Sequence, residues 1–224
     1  MKFLTRLADT RDPKSLASRT RRRRGAFLRS LLAPMPKPVR IVDLGGTEAF
    51  WETVGAAGDA EIQVVLLNTS TQPTHYRNLT SRVGDATNLR HFSDNTFDVS
   101  FSNSVIEHLG TYRQQQLMAT EHRRVASRYF VQTPNKYFPI EQHFLIPMFQ
   151  FFPLSLQLQL IRRFSISWFD RIPDRAQAEA FLRSFRLLSY QDLRTLFPGA
   201  QIRTERYCGL AKSFMVVGGW ETQG

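Results

Sequence analysis

Cysteine is almost absent from this sequence, since Cys208 is the only one among 224 residues. One thiol excludes a disulfide within the chain and a metal site built from several thiolates, and it fits a reducing, cytosolic setting. Internal repeats and low-complexity tracts are lacking too. No apolar stretch follows the first residues, so we expect no secretory signal. The length suits one domain with a full core and an appendage or insertion.

Long apolar runs are missing as well. The nearest approach is the uncharged segment Phe144–Ile161, which is diluted by three glutamines and broken by Pro147 and Pro153. A helix that crosses a bilayer needs about 20 predominantly apolar residues, so this segment is too short and too kinked to span one. It can still cap a pocket or lie on a membrane surface.

Acidic residues are scarce at the N-terminal end alone. Residues 1–40 hold nine arginines and three lysines against Asp9 and Asp12, and so carry +10 of the net charge of +11. The rest of the chain is nearly neutral, which weighs against a nucleic-acid-binding body. We predict a basic arm at residues 1–36, peaking at Arg21–Arg24, a run that attracts anionic lipid headgroups and other polyanions. A solvated tail is the alternative.

From Val39 onward, short apolar runs typical of strands alternate with longer helical stretches. This pattern predicts a parallel sheet covered by helices, as in α/β domains. The predicted strands are Val39–Leu44, Ile62–Leu67, a strand around Arg82–Val83, Phe97–Asn103 and Arg128–Gln132. A helix over Thr111–Ala126 is predicted to link the fourth and fifth strands.

The end of the chain has a different pattern. Two strands, Gln201–Tyr207 and Lys212–Gly219, are separated by Cys208–Ala211 alone. So short a link cannot hold a crossover helix, and the pair is therefore predicted to be antiparallel.

The first strand runs into a glycine turn. Gly45 and Gly46 let the backbone approach a ligand closely, and the helix that follows offers free N–H groups to a carboxylate or phosphate. An anionic or nucleotide-bearing cofactor is therefore expected at the carboxyl edge of the first strand. Many α/β proteins need such a turn for packing alone, so the turn by itself does not establish a cofactor site. The motifs further along the chain are needed to distinguish the two roles.

Four motifs, in order, resemble those of one family. Asp43–Gly45 (Asp-Leu-Gly) resembles the first motif of class I S-adenosylmethionine-dependent methyltransferases, and Val83–Ala86 (Val-Gly-Asp-Ala) resembles their third-strand acidic motif. Phe97–Leu109 is similar to the fourth-strand motif of the small-molecule, ubiquinone-biosynthesis-like branch, and Thr133–Asn135 follows the fifth strand. The resemblance covers about residues 37–220. It implies methyl transfer on a Rossmann-like α/β sheet, mostly parallel with a C-terminal antiparallel hairpin.

The resemblance implies S-adenosylmethionine as the cofactor and assigns residues to it. Gly45 and Gly46 would line the methionine part, and Asp43 would bind the methionine amino group directly or through water. Asp85 would accept a hydrogen bond from the adenine amino group, with the Ala86 amide beside it.

Two asparagines complete the expected cofactor set. Asn103 ends the fourth strand, and Asn68 stands where the family usually places an acid that holds both ribose hydroxyls. An amide accepts from one hydroxyl and must donate to the other, which reduces the expected affinity. Thr47 and Ala49 occupy the places of later glycines, where a side chain could narrow the cofactor bed.

Two histidines and a glutamate are the candidate catalytic residues. O-methylation is slightly favoured, and a hydroxyl acceptor benefits from a base, for which His108 after the fourth strand is the first candidate. His108 could instead pack beneath the cofactor. Glu141 and His143, two residues apart after the fifth strand, could orient the acceptor, bind a metal or pin the loop. Two ligands are too few for a convincing metal site, so we predict acceptor positioning and no metal.

Residues 137–185 are predicted to form an apolar lid or insertion. A lid that walls the acceptor pocket implies a small or lipid-linked acceptor with an apolar chain, although ordinary helical packing on the sheet explains the composition equally well. Lid and Arg21–Arg24 arm together would suit peripheral contact with an anionic membrane.

Other functions stay open. A nucleic-acid methyltransferase could use the basic arm, but the near-neutral body and the absence of an Asn-Pro-Pro-Tyr-like motif at Asn103–Ile106 make nucleic acid the weaker partner. A non-catalytic, methyltransferase-like binding protein would use the lid surface instead. A dehydrogenase is disfavoured, because Gly45–Ala49 lacks the spaced glycines of dinucleotide sites.

Overall fold

One seven-stranded sheet runs through the part of the chain that the computed structural model describes, residues 15–141 and 143–220. Its strands are β1 (Val39–Leu44), β2 (Ile62–Asn68), β3 (Leu79–Val83), β4 (Phe97–Asn103), β5 (Ala126–Pro134), β6 (Gln201–Tyr207) and β7 (Leu210–Gly218). The helices are α1 (Leu16–Leu32), α2 (Glu48–Thr53), α3 (Tyr112–Val125), α4 (Leu154–Arg163), α5 (Arg175–Arg183) and α6 (Tyr190–Leu196), with 3₁₀ turns at Ile106–His108 and Phe149–Phe151. Among these residues, no helix combines the length and apolarity needed to cross a membrane.

The strand order is β3-β2-β1-β4-β5-β7-β6. The first five strands pair in parallel, whereas β7 runs antiparallel to both β5 and β6. This arrangement confirms the predicted fold class. The sequence located β3 least well, because Leu79 is the only fully buried residue in that strand and the apolar signal is weak.

The C-terminal hairpin turns more tightly than the sequence indicated. Its strands are joined by Cys208 and Gly209 alone, and both have left-handed φ values, 48° and 78°. Two positive φ values in a two-residue loop suit the right-handed twist of the paired strands. The prediction of an antiparallel pair is confirmed, and β7 begins two residues earlier than expected.

Part of the predicted basic arm is helix α1, packed on the sheet. Ser15 caps it by accepting from the Ser18 amide at 3.0 Å. Leu28 and Leu32 are buried in the core, and Gly25 lies so close to Val54 that a side chain at that position would overlap it. Burial of the apolar side of α1 is what holds this arginine-rich helix against the domain.

Helices cover both faces of the sheet. The core on one face joins α1 and α2 to the strands through Leu28, Leu32, Phe50, Trp51 and Phe101. The core on the other face joins α3 and α6 to the strands through Met118, Val125, Leu193 and Leu196. The carboxyl ends of β1 to β5 all emerge at one edge between these two layers, which is where parallel α/β sheets place their ligands.

The segment between β5 and α6 has a small core of its own. Its buried members are Phe144, Phe149, Leu158, Ile161, Ile166, Ala178 and Leu182. Helices α4 and α5 pack on each other, and the chain rejoins the sheet edge where Asn135 pairs with Leu188. The aromatic residues that suggested a lid therefore fill much of the segment themselves.

Candidate active site at the carboxyl edge of the sheet

The glycine loop and the end of β2 are joined by hydrogen bonds. Gly45 has φ of 76°, and its amide donates to the Leu67 carbonyl at 2.8 Å. The Asn68 amide nitrogen Nδ2 donates to the Gly46 carbonyl, also at 2.8 Å. The Gly84 amide donates to the Asn68 carbonyl at 2.8 Å, which brings the β3 motif alongside. The loops after β1, β2 and β3 thus form one continuous edge, as the sequence predicts.

Asp43 lies beneath this loop. Its carboxylate accepts from Trp51 Nε1 at 2.8 Å through Oδ2, while the buried Oδ1 has no hydrogen-bond partner among the described residues. A Cβ built on Gly46 would fall well inside 3.0 Å of this carboxylate. Burial raises the pKa of Asp43 to about 7, against the opposing effect of the Trp51 hydrogen bond. Asp43 therefore supports the loop from below, with one oxygen left for a cationic or donor group.

The side chains of Asn68 and Asp85 each use one polar atom in hydrogen bonds within the protein. Because Asn68 donates to the loop, its carbonyl oxygen is the atom left to accept from a ribose hydroxyl. Asp85 is exposed, and its Oδ1 accepts from the Thr87 amide and hydroxyl at 2.8 and 2.7 Å. This turn fixes the Asp85 side chain and leaves Oδ2 for a ligand, while Ala86 packs partly against the core.

These residues fit S-adenosylmethionine. The unpartnered Asp43 Oδ1 is an acceptor for an amino group, and the loop leaves no room for a side chain at Gly46. Thr47 and Ala49 are both exposed, so neither side chain is buried beneath the loop with Asp43. Free N–H groups at the N-terminus of a helix as short as α2 add little on their own.

The raised pKa of Asp43 predicts a pH-dependent contribution to folding. A carboxyl group whose pKa rises from 3.8 to about 7 on folding stabilises the fold fully below pH 3.8 and loses that contribution as pH rises through 7. Between these two pKa values, we expect the free energy of unfolding of wild type, relative to Asp43→Asn, to fall by about 1.4 kcal/mol for each pH step of one. Urea titrations at several pH values measure it, and parallel curves would contradict it.

Asn103 has a partner that the sequence did not reveal. Its Oδ1 accepts from the Arg24 guanidinium of α1, and Arg24 also forms an ion pair with Glu205 of β6 at 2.6 Å. Arg24 and Glu205 side chains are 7% and 10% exposed. Ser213 of β7 donates to the same Glu205 carboxylate. Arg24 is therefore a buried connection between α1, β4 and the C-terminal hairpin rather than part of a basic surface.

The loop after β4 links the cofactor side to the predicted catalytic residues. Ser104 has a left-handed φ of 56°, and its amide donates to the Gln132 carbonyl at 3.0 Å. A Cβ on Gly45 would collide with Val105, so Val105 lies directly against the glycine loop. Glu107 and His108 follow within the next 3₁₀ turn.

The structure brings together all three predicted catalytic residues. The rings of His108 and His143 have centroids 4.9 Å apart, and both contact Phe185, at 5.0 and 4.6 Å. Glu141 is buried and accepts from His143 Nδ1 at 2.6 Å. Glu141 also accepts from the His143 and Phe144 amides, both at 2.7 Å. This carboxylate is thus fully engaged in orienting His143.

Glu107 is a member of the cluster that was not predicted as a site residue. It is completely buried, and its Oε2 accepts from Thr133 Oγ1 at 2.9 Å, whereas Oε1 has no partner among the described residues. Burial raises the pKa of Glu107 to about 7. The Glu107-His108 pair was visible in the sequence as a motif, but its burial depends on how the loops after β4 and β5 fold.

The two imidazoles differ in basicity. Desolvation against the neighbouring rings lowers the pKa of His108 to about 4, although the residue as a whole stays exposed. Desolvation also lowers the pKa of His143, but its hydrogen bond to Glu141 and the nearby carboxylate charges outweigh it, so that pKa is raised. These opposite pKa directions favour His143 over His108 as the base of this pair.

Comparison with known protein families gives a match over part of this chain. A methyltransferase domain family matches residues 46–128, a range that contains Asn68, Asp85 and Asn103. No significant match is found among curated protein sequences.

Several solved structures share the fold. Magnesium protoporphyrin IX methyltransferase from Synechocystis PCC 6803, with bound S-adenosylhomocysteine, matches at 14% identity and a TM-score of 0.53 over 90% of this chain and 82% of that one. A SAM-dependent methyltransferase from Methanosarcina mazei matches at 12% identity and a TM-score of 0.51, over 85% of this chain and 95% of that one. The CurJ carbon methyltransferase matches at 10% identity and a TM-score of 0.56, over 88% of this chain but 53% of its own. The mostly parallel seven-stranded sheet with its C-terminal antiparallel pair is thus the fold of class I methyltransferases, and a methyltransferase domain family matches part of it.

Proposed function

We propose that the chain transfers the methyl group of S-adenosylmethionine to a hydroxyl of a small or lipid-like acceptor. The observation that carries this proposal is the cluster of His108, Glu141 and His143, whose first member lies three residues after Val105, the residue in contact with the glycine loop. The proposed cofactor contacts are the glycine loop, Asn68, Asp85 and Asn103. The ubiquinone-biosynthesis-like branch fits an oxygen acceptor and is part of the same proposal.

Methyl transfer requires the protein mainly to position the two reactants. The bound cofactor supplies an electrophilic methyl group on a sulfonium, so the chain has to hold the acceptor oxygen in line and exclude water. Transfer of the methyl group to the acceptor oxygen would displace the O–H proton, and the imidazole of His143 is the group proposed to take it. Glu141 holds Nδ1 of His143, which leaves Nε2 as the nitrogen that can meet the acceptor oxygen.

The lid segment indicates an apolar group on the acceptor. A cavity of about 150 Å³ lies within it. Its lining is partly apolar and partly polar, formed by Lys136, Glu141, Phe144, Phe149, Gln150, Gln157, Leu182, Phe185 and Leu187. A cavity of this size accommodates a group about as large as benzene, and three phenylalanine side chains are among the residues that line it. We therefore propose that one apolar ring or chain segment of the acceptor enters there, next to the His143–Glu141 pair.

We further propose peripheral contact with an anionic membrane, through the lid rather than the Arg21–Arg24 run. Phe164 and Trp168 are 58% and 46% exposed, and Arg163 and Arg171 nearby are exposed as well. Aromatic residues beside cations suit a membrane interface. Wild type should sediment with anionic and not with neutral vesicles. Phe164→Ser with Trp168→Ser should weaken this at least tenfold, whereas Leu117→Ser on α3 should not, and equal losses would contradict it.

Two measurements test the enzymatic proposal. S-Adenosylhomocysteine should raise the melting temperature and NAD should not, because the loop lacks a dinucleotide fingerprint. Methyl-labelled S-adenosylmethionine added with a cell extract should then place label in the organic-soluble fraction. Label in nucleic acid would favour the arm-based alternative, and cofactor binding without any labelled product would favour a non-catalytic binding protein.

A further inference from the structure

We infer that Glu107, His108 and His143 bind a divalent transition-metal ion of the zinc type beside the cofactor loop. The sequence indicated no metal, because it offered two candidate ligands, and the structure adds Glu107 as a third. The role of the ion in activating the acceptor rests on the proposed function, whereas its binding does not.

The three side chains converge on one point. A carboxylate oxygen of Glu107 and one ring nitrogen from each histidine all lie within 4.8 Å of one another. Ligand atoms around a tetrahedral zinc ion are about 3.3 Å apart, given bonds of about 2.0–2.2 Å. The cluster thus has to contract by about 1.5 Å at most. Two histidines and one glutamate with an open fourth position make up the ligand set of several catalytic zinc sites.

Glu107 provides a reason for a cation at this place. Its Oε2 is held by Thr133, while Oε1 is buried without a hydrogen-bond partner among the described residues. A buried carboxylate oxygen without a partner is unfavourable unless it meets a proton or a positive charge. An ion between Glu107 and the two imidazoles would satisfy this oxygen.

His143 is oriented as a metal ligand. Its Nδ1 is hydrogen-bonded to Glu141 Oε1 at 2.6 Å, and the Glu141 carboxylate is itself fixed by two backbone amides. A carboxylate on one ring nitrogen sets the tautomer and leaves Nε2 free, as in carboxylate–histidine–zinc arrangements. In a similar way, the hydrogen bond from Thr133 holds Glu107 Oε2 and leaves Oε1 free. Each of these two ligands therefore has a supporting side chain.

His108 completes the set from the solvent side. Its ring packs against His143 and Phe185, and the residue remains exposed. A ring nitrogen of His108 is one of the three ligand atoms that converge on this point. An acceptor hydroxyl bound at the open position would release its proton to solvent, since a divalent ion lowers the pKa of a bound O–H group. The two histidines then act on the acceptor oxygen through the ion.

Cobalt(II) is the probe for this site, because its visible absorption reports coordination. Chelator-treated wild type should bind one Co²⁺ per chain, with an absorption band that Zn²⁺ abolishes. Glu107→Gln and His143→Ala should each weaken binding at least tenfold. Glu141→Gln, a change at the supporting carboxylate, should weaken it by about 10- to 100-fold. Thermal protection by S-adenosylhomocysteine should persist in all three variants, which shows that they fold.

The matched control is His75→Ala. His75 and Glu48 form another histidine–glutamate pair, at 2.7 Å, but the pair belongs to no three-ligand cluster among the described residues. Co²⁺ binding should be unchanged in this variant. Absence of a Co²⁺ band in wild type that still binds S-adenosylhomocysteine would overturn the inference and leave the proposed function standing. Metal binding without cofactor binding would instead overturn the proposed function alone.

Discussion

Gly46→Ala is expected to weaken S-adenosylhomocysteine binding at least tenfold and to lower the free energy of unfolding by about 1–3 kcal/mol. Gly46 does not have a left-handed φ, so alanine is conformationally acceptable there. The new methyl group would instead overlap the Asp43 carboxylate, which Trp51 holds in place. Either the loop or the carboxylate has to move, and both belong to the proposed cofactor bed. Calorimetric titration and urea unfolding measure the two effects.

Gly199→Ala is the control for adding a methyl group to a glycine. Gly199 has a φ of 77°, so alanine there is strained, but a side chain would meet nothing within 4 Å. We expect a loss of about 1 kcal/mol in stability and unchanged cofactor affinity. In the double variant Gly46→Ala with Asp43→Ala, stability should recover relative to additivity, because the overlapped carboxylate is gone. Wild-type affinity in folded Gly46→Ala would contradict the placement of the cofactor.

The cofactor edge was predictable because it follows from regular structure. Parallel strands end at one edge, so Gly45, Asn68 and Asp85, each just after a strand, had to lie near one another. The apolar runs of β1, β2 and β4 are long and buried, which makes their ends easy to locate. What the sequence could not show is that Asn68 would use its donor on the loop itself, since that depends on the loop's backbone conformation.

The acceptor side was predicted less completely. His108, Glu141 and His143 were recognised as chemistry-bearing residues, but their mutual contacts depend on two irregular loops that no periodicity describes. Glu107 was recognised as part of a motif and not as a site residue, because a sequence does not reveal which acid is buried. The left-handed turn at Ser104 illustrates the difficulty, since serine carries no strong signal for such a conformation.

Arg24 shows the limit of composition most clearly. In the sequence it is one of four consecutive arginines, and nothing distinguishes it from its neighbours. The structure separates them, because Arg22 and Arg23 are exposed while Arg24 enters the protein between Asn103 and Glu205. The periodicity of α1 decides which arginine points inward, and that helix was hidden in the sequence by its high charge.

Arg24→Ala is expected to lower the free energy of unfolding by about 3–5 kcal/mol, because it leaves Glu205 buried without its cation. The Asn103 carbonyl oxygen loses its donor at the same time. Arg23→Ala, one position away and exposed, is the matched control, and it should change stability by no more than about 0.5 kcal/mol. Urea unfolding of the two variants side by side measures the difference.

A second pair of substitutions separates the lost ion pair from lost packing. Arg24→Met with Glu205→Met removes both charges while keeping most of the buried volume, and this double variant should regain most of the stability lost in Arg24→Ala. Equal stabilities of Arg24→Ala and Arg23→Ala would mean that the arginine run is a surface feature, as its composition suggests. A selective loss at Arg24 instead makes α1 an integral layer of the domain, joined at Asn103 to the edge where the cofactor is proposed to bind.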